Sequence, residues 1–240
     1  MNYDYNSIFD KKNNINVNYV NWEYSNIEQK KLLILDLDET LFHSEFRTLV
    51  NYKHLDKLKH KTKCKVKTMT FTKDDCKIFF EVFFRPHLMD FLSEINKYFD
   101  LAIFTASVKE YADTVLEYID PKNQFFKFRL YRDACIPIGN NIYVKDLRIV
   151  KNFDAKNIIL MDNSLYSFMN QPSNGLIVNS FLMDYKDNQL LSAKQYLINH
   201  IAKSHDVRKI NNKWFKFDQL FKNQNIFEYD SDDCENMKID

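Results

Sequence analysis

An α/β fold built around a parallel sheet is predicted from the 240-residue sequence by three features. Short apolar runs recur along the chain, stretches of helical period separate them, and three runs end in residues able to do chemistry: Asp36, Thr105 and Asp162. Strands buried on both faces read as unbroken apolar runs, because other layers cover both sides of the sheet. Ligands of such sheets sit beyond the carboxyl ends of the strands. Three reactive residues at that one edge therefore point to a shared site.

The elements follow in order. Residues 1–30 are rich in Asn and Tyr and lack periodicity, which reads as an N-terminal extension. Leu32-Leu33-Ile34-Leu35 is the first strand. The basic stretch 50–65 reads as an exposed loop. Val66 to Thr72 alternates apolar and polar residues, Lys73-Asp74-Asp75 turns the chain, and Cys76 to Phe84 returns as a second strand, a β-hairpin inserted after the first strand. From Pro86, a helix carries Leu88, Phe91, Leu92, Ile95 and Phe99 on one face. Leu101-Ala102-Ile103-Phe104 is the next strand. A second helix aligns Val108, Tyr111, Ala112, Val115 and Ile119 and closes at Asp120-Pro121, after which the chain to Lys145 is irregular. Ile158-Ile159-Leu160-Met161 and Leu176-Ile177-Val178 are the third and fourth runs of the sheet. A helix from Asn188 to Ala202 presents Leu190, Leu191, Leu197, Ile198 and Ile201. The expected organisation is an extension (1–30), a domain (31–210, with insertion 45–84) and a C-terminal extension (211–240) ending in an acidic tail.

Composition narrows the function classes. With 45% hydrophobic residues the chain can bury a sizeable core. A formal charge of +1 gives no global pull towards nucleic acid, and no direct nucleic-acid binding is expected. Charge is nonetheless uneven. Lys53 to Lys67 holds seven Lys against Asp56, and Glu228 to Asp240 holds six acids against Lys238. The basic run is suited to acidic or multiply phosphorylated peptide flanks, and the acidic tail could compete for it. Cys64, Cys76, Cys135 and Cys234 are scattered without zinc spacing. No signal-like or membrane-length apolar run occurs, so an intracellular protein, nuclear or cytoplasmic, is expected. The sequence leaves the oligomeric state open. With two glycines, Gly139 and Gly175, there is no glycine-rich phosphate loop.

The residues with most to say are Asp36-Leu37-Asp38-Glu39-Thr40, directly behind the first strand. Residues i and i+2 of an extended chain share a face. Two carboxylates there repel unless a cation, a proton or a transferred group lies between them. One could attack phosphorus while the other moves a proton. Taken alone, an Asp after a strand also suits a turn or a helix cap.

Partners elsewhere decide between these. The stretch from Leu32 to Ser44, then Arg85-Pro86-His87, Ile103-Phe104-Thr105-Ala106-Ser107 with Tyr111-Ala112-Asp113, Tyr143-Val144-Lys145-Asp146-Leu147, Asp162-Asn163-Ser164 and Asp206-Val207-Arg208 resemble, in order, the haloacid dehalogenase superfamily. More closely they resemble its small phosphatases acting on the RNA polymerase II C-terminal domain and related phosphoproteins. The resemblance implies a three-layer Rossmann-like fold with no large cap domain. It implies that Asp36 is the nucleophile, forming an aspartyl-phosphate, and that Asp38 is the acid and then the base. Thr40 would order the loop and help hold Asp38. Thr105 would offer its hydroxyl and backbone N–H to phosphate, Lys145 a mobile cation, and Arg132 a substrate contact. Mg²⁺ would be bound by Asp36, the Asp38 carbonyl and Asn163, with Asp162 acting through water. Thr105 also suits a helix cap, Arg132 an ion pair, Ser107 an N-cap, and His43 and His87 scaffold roles.

The chain departs from that pattern in places. Leu165 stands where the family usually has Pro, Phe181 where a Trp is common, and the segment from Ser44 to Arg85 is longer than in the small relatives. The resemblance implies a Mg²⁺-dependent protein phosphatase with an open site for a phosphoprotein or phosphopeptide. Alternatives are a peptide-binding module like an import receptor of the same fold, and a lipid-regulator phosphatase working with a membrane partner.

Overall fold

Five parallel strands form the centre of the molecule, in the order β12-β11-β2-β6-β7. The computed structural model describes residues 19–22, 30–48, 52–61, 63–139, 141–151 and 154–217. In chain order these hold β1 (Val20–Asn21), β2 (Lys31–Leu35), β3 (Phe42–Phe46), α1 (Tyr52–Lys61), β4 (Val66–Lys73) and β5 (Cys76–Phe84). Then come α2 (Leu88–Ile95), β6 (Phe99–Phe104), α3 (Lys109–Ile119), β7 (Phe126–Leu130), β8 (Ile136–Gly139), β9 (Ile142–Val144) and β10 (Val150–Lys151). The last elements are β11 (Ile158–Asp162), β12 (Gly175–Ile177), α4 (Gln189–Tyr196) and α5 (Val207–Trp214).

Strand β2 is apolar throughout because it feeds two cores. Leu33 and Leu35 join one cluster with Leu88, Phe91, Val115 and Leu197, from α2, α3 and the end of the α4 segment. Leu32 and Ile34 point the other way, to Trp22, Leu147, Ile149, Phe168 and Phe217. The first face is a helix layer. The second is covered by short 3₁₀ turns and the antiparallel β8–β9 pair instead of long helices.

The insertion is a three-stranded antiparallel sheet, β3-β5-β4. The expected hairpin is β4–β5, and β3 adds a third strand. The basic stretch is not a loop: it folds as α1, with Leu55 buried and Leu58 half-buried three residues apart on one face. Phe99 belongs to β6, not to the helix before it, which ends at Ile95. The segment from Asp120 to Lys145 contains β7, β8 and β9. Part of the N-terminal stretch is docked: Val20 and Asn21 pair with Val150 and Lys151, and Trp22 donates to Asp100 over 3.0 Å. Residues 1–18 and 23–29 lie outside the described residues, as does the acidic tail. At the other end α5 continues to Trp214, and Phe217 packs into the second core. Among the described residues, no helix is long and apolar enough to cross a membrane.

Candidate active site

Asp36, Thr105 and Asp162 are each pinned at the carboxyl end of the sheet by a backbone bond. The Asp36 N–H donates to Met161 O, the Thr105 N–H to Leu130 O and the Val178 N–H to Asp162 O, each over 3.0 Å. The apolar strands thus fix, by register, where the reactive side chains emerge. Lys145 arrives from the opposite core, directly after β9, with its N–H bonded to Ser167 O. Asp36, Asp38, Thr105, Arg132, Lys145, Asp162 and Asn163 all line one cavity of about 520 Å³.

Asp36 is buried and both its oxygens are engaged. Lys145 Nζ donates to Oδ1 over 2.5 Å and Thr40 Oγ1 to Oδ2 over 2.8 Å. The same ammonium donates to Asp162 Oδ2 over 2.6 Å, while Asp162 Oδ1 accepts the Ser164 N–H over 2.8 Å. Each carboxylate oxygen keeps a further lone pair. Two buried carboxylates therefore share one cation. Burial and the Asp162 charge push Asp36 up to about 7, against the pull of Lys145. Burial alone would lower Lys145, but Asp162 and Asp36 outweigh it and hold the ammonium charged. Lys145 is thus locked between two carboxylates, 1% exposed, and is not the mobile cation expected of it.

Asp38 has a separate set of partners. Ser107 Oγ donates to its Oδ2 over 2.7 Å and the Tyr111 hydroxyl to its Oδ1 over 2.5 Å; Tyr111 also lies 2.7 Å from Ser44 Oγ. Burial raises the Asp38 carboxyl, and the Tyr111 and Ser107 hydrogen bonds oppose that rise. Burial and the neighbouring Asp38 charge hold the Tyr111 hydroxyl well above its usual range, so it stays a donor. This corrects two expectations. Thr40 holds Asp36, not Asp38, and Ser107 is not the helix cap, which falls at Val108. In the sequence Tyr111 stands out as an apolar position on a helix face and as part of a resembling motif, with no role assigned to its hydroxyl.

Thr105 differs from expectation in one respect. Its N–H is spent on Leu130, so only the hydroxyl is left for a ligand; the oxygen accepts the Ser107 N–H over 3.0 Å and keeps its proton to donate. Arg132 is exposed, donates from Nε to Ala106 O over 2.6 Å and lies 5.5 Å over the Tyr143 ring. It is held by a carbonyl and a ring rather than by a carboxylate. His43 sits between Glu39 and Glu45, and His87 takes a left-handed backbone (φ 67°) before α2. Phe181, in the place of the family's Trp, is buried; its N–H bonds Glu39 O, and the Arg85 guanidinium lies 5.6 Å over its ring.

The oxygens near Asp36 suit a hard divalent cation. Asn163 Nδ2 donates to Ser180 Oγ, which leaves Oδ1 towards the Thr40 hydroxyl at 3.3 Å. That hydroxyl has one proton, and the shorter bond to Asp36 takes it. Asn163 Oδ1 is therefore an acceptor without a strong donor, beside a carboxylate in surplus over its cation. No group of three or more His, Cys, Asp or Glu side chains poised for a metal occurs among the described residues. A set of one carboxylate, one amide and one backbone carbonyl fits Mg²⁺, which keeps much of its own water.

The site and its scaffold have counterparts in known proteins. The family model described as NLI interacting factor-like phosphatase matches residues 31–208. CTD small phosphatase-like protein 3 of Caenorhabditis elegans is 37% identical over 180 residues, 74% of this chain and 57% of the relative. Nuclear envelope morphology protein 1 of Saccharomyces cerevisiae is 32% identical over 199 residues, 77% of this chain and 42% of the relative. The chain thus spans about half the length of these curated relatives. Among solved structures, the fission yeast RNA polymerase II CTD phosphatase Fcp1 bound to beryllium fluoride aligns with a TM-score of 0.51 at 20% identity, over 78% of this chain and 55% of that one, a likeness of fold.

Proposed function

The chain belongs to the NLI interacting factor-like phosphatase family, and from that premise we propose a Mg²⁺-dependent phosphoserine/phosphothreonine protein phosphatase that works through an aspartyl-phosphate on Asp36. The observation that carries this reading is the division of the carboxylate pair. Asp36 is matched to Lys145 and Thr40, Asp38 to Ser107 and Tyr111. Two carboxylates with different surroundings serve as two reagents.

In the first half-reaction an Asp36 oxygen attacks phosphorus, the bond from phosphorus to the Ser or Thr oxygen breaks, and Asp38 protonates the departing alkoxide. In the second, Asp38, now ionised, takes a proton from the water that attacks phosphorus. The acyl-phosphate bond breaks, and Asp36 and inorganic phosphate are released. Phosphoryl transfer asks chiefly for positioning and for neutralising charge spread over three oxygens. The Thr105 hydroxyl, Lys145 and Arg132 are the donors for that. Mg²⁺, held by Asp36, the Asp38 carbonyl and Asn163 with Asp162 behind it, would supply the positive charge that keeps Asp36 ionised and offsets the phosphoryl oxygens.

The substrate class follows from access. The cavity is walled by Phe46, Phe71, Tyr143 and Tyr166, the first two from the three-stranded sheet that stands in place of a multi-helix cap. Such a site suits a phosphorylated side chain on an extended peptide, such as one resembling the RNA polymerase II C-terminal domain, in the nucleus or cytoplasm. We assign the activity to residues 31–210.

The test compares a phosphoserine peptide with a sugar phosphate, in Mg²⁺ and in EDTA, for wild type and Asp36→Asn. Peptide turnover that needs Mg²⁺ and falls to background in Asp36→Asn is expected. A clear preference for the sugar phosphate would refute the substrate class. No turnover by a folded, Mg²⁺-supplied wild type would favour a peptide-binding module.

A further inference from the structure

A second cavity, of about 580 Å³, shares no lining residue with the catalytic one. Helix α3 connects them: Tyr111 lines the first and Tyr118 the second, seven residues or about 10 Å apart along the helix. The floor of this groove is apolar, from Phe84, Leu88 and Ile119, all buried. Its rim is apolar too, but exposed. Met89, Tyr118 and Tyr185 are 42%, 39% and 44% open to solvent.

Lysines stand on those rings. Lys63 Nζ lies 4.9 Å over Tyr185, Lys65 Nζ 5.2 Å over Tyr118, and Lys67 Nζ 5.6 Å over Tyr118. These three are the C-terminal end of the basic run. Lys65 and Lys67 share a face of the chain entering β4. Unlike Lys145, Lys109 or Arg85, none of the three makes an ion pair within the described residues. Asp90 is the lining carboxylate, and Arg85 is already matched to Asp187. The groove thus offers aromatic surface beside unmatched positive charge, and rings and ammonium groups so arranged accept a peptide that alternates aromatic and acidic residues.

We propose that this groove is a docking site for an acidic peptide segment bearing an aromatic residue, and that its occupant is the chain's own stretch from Phe227 to Asp240. That stretch begins Phe227-Glu228-Tyr229-Asp230 and carries six acids against Lys238. Phe227 or Tyr229 would pack between Met89, Tyr118 and Tyr185, and the following carboxylates would face Lys63, Lys65 and Lys67. Nine residues lie between Phe217 and Phe227, and those ten steps span about 33 Å when extended, about twice the radius of gyration of about 16 Å for a domain of this size. Tethering supplies an effective concentration on the order of millimolar, so a weak contact suffices. The inference stands apart from the catalytic reading.

The test is carbodiimide cross-linking of the full chain, joining carboxylates to lysines, mapped by mass spectrometry in low and high salt. A mixture of ¹⁵N-labelled and unlabelled chain separates links within a molecule from links between molecules. The expected result is links from the acids of 228–240 concentrated on Lys63, Lys65 and Lys67 within one molecule. These should fall several-fold in high salt, and in both Tyr118→Ala and Tyr185→Ala, whose folding is checked by circular dichroism. Links spread over surface lysines in proportion to exposure would overturn the proposal. Links only between labelled and unlabelled chains would assign the groove to a second copy and overturn it equally.

Discussion

Replacing Lys145 by Met removes one cation from between two buried carboxylates, and the consequences can be worked out. The Lys145, Asp36 and Asp162 side chains are 2%, 7% and 2% exposed, and the ammonium donates to both acids. Removing one partner of a buried pair costs about 3–5 kcal/mol, because the charge left behind is neither solvated nor matched. For a domain of this size 1 kcal/mol moves Tm by about 2–4 °C, so a fall of roughly 6–20 °C is expected in EDTA at pH 8. The pH dependence has a definite sign. Asp36 is held up at about 7 in the folded protein, against 3.8 as its ordinary value. A carboxyl raised by folding stabilises most when protonated, below the unfolded value, and that contribution is lost as pH rises through the folded value. Without Lys145 the opposing pull is gone and Asp36 rises further. Protonated Asp36 can then share its proton with Asp162, so the deficit relative to wild type should shrink at pH 5. Scanning calorimetry of wild type and variant at pH 5 and pH 8 measures this. An equal fall in Tm at both pH values, or a fall below 2 °C at pH 8, would refute the shared-cation account.

Tyr111→Phe keeps the ring among Phe46, Phe71 and Phe80 and deletes the donor to Asp38. A hydrogen bond to a charged group contributes about 1.5–3 kcal/mol, so Tm should fall by about 3–12 °C, and kcat should fall roughly 10- to 150-fold if the bond acts fully in the transition state. The Asp38 limb of the pH profile should move to higher pH, because the lost bond favoured the carboxylate. Arg85→Leu should cost at least about 3 kcal/mol in urea denaturation: the guanidinium is buried, pairs with Asp187, and bonds Thr40 O over 2.8 Å and Asn179 O over 2.7 Å, tying the Asp36–Thr40 loop to the segment after β12. Gly175→Ala would bring a Cβ to 2.3 Å from the buried Phe168 ring. Overpacking of this kind costs about 1–3 kcal/mol, to be read from the denaturation midpoint.

The sheet edge was legible because β2, β6 and β11 carry their own burial in continuous apolar runs, so Asp36, Thr105 and Asp162 fall where those runs stop. Elements that depend on neighbours were less legible. Strand β3, Phe-His-Ser-Glu-Phe, has little apolar signal and exists by pairing with β5. Strand β7 had one, in the alternation of Phe126, Phe128 and Leu130, inside a segment read as irregular. In α1 the lysines masked Leu55 and Leu58. Within the site, Asp36, the loop to Thr40 and Lys145 were legible from local sequence. The donors that distinguish Asp38 from Asp36 were not: Ser107 and Tyr111 lie 69 and 73 residues from Asp38, and it takes the β2–β6 pairing and the docking of α3 on the insertion sheet to join them. A Tyr in an apolar helical stripe reads as core, and here its ring is core while its hydroxyl serves the site.

The measurement closest to the central claim is trapping of the phosphorylated protein. A ³²P-phosphoserine peptide is mixed with the chain in Mg²⁺, quenched in acid within one turnover and digested. The account predicts hydroxylamine-labile label on the peptide containing Asp36, absent from Asp36→Asn and persisting longer in Asp38→Asn, which lacks the base for the second step. Undiminished turnover by Asp36→Asn, or label on a residue other than Asp36, would contradict it.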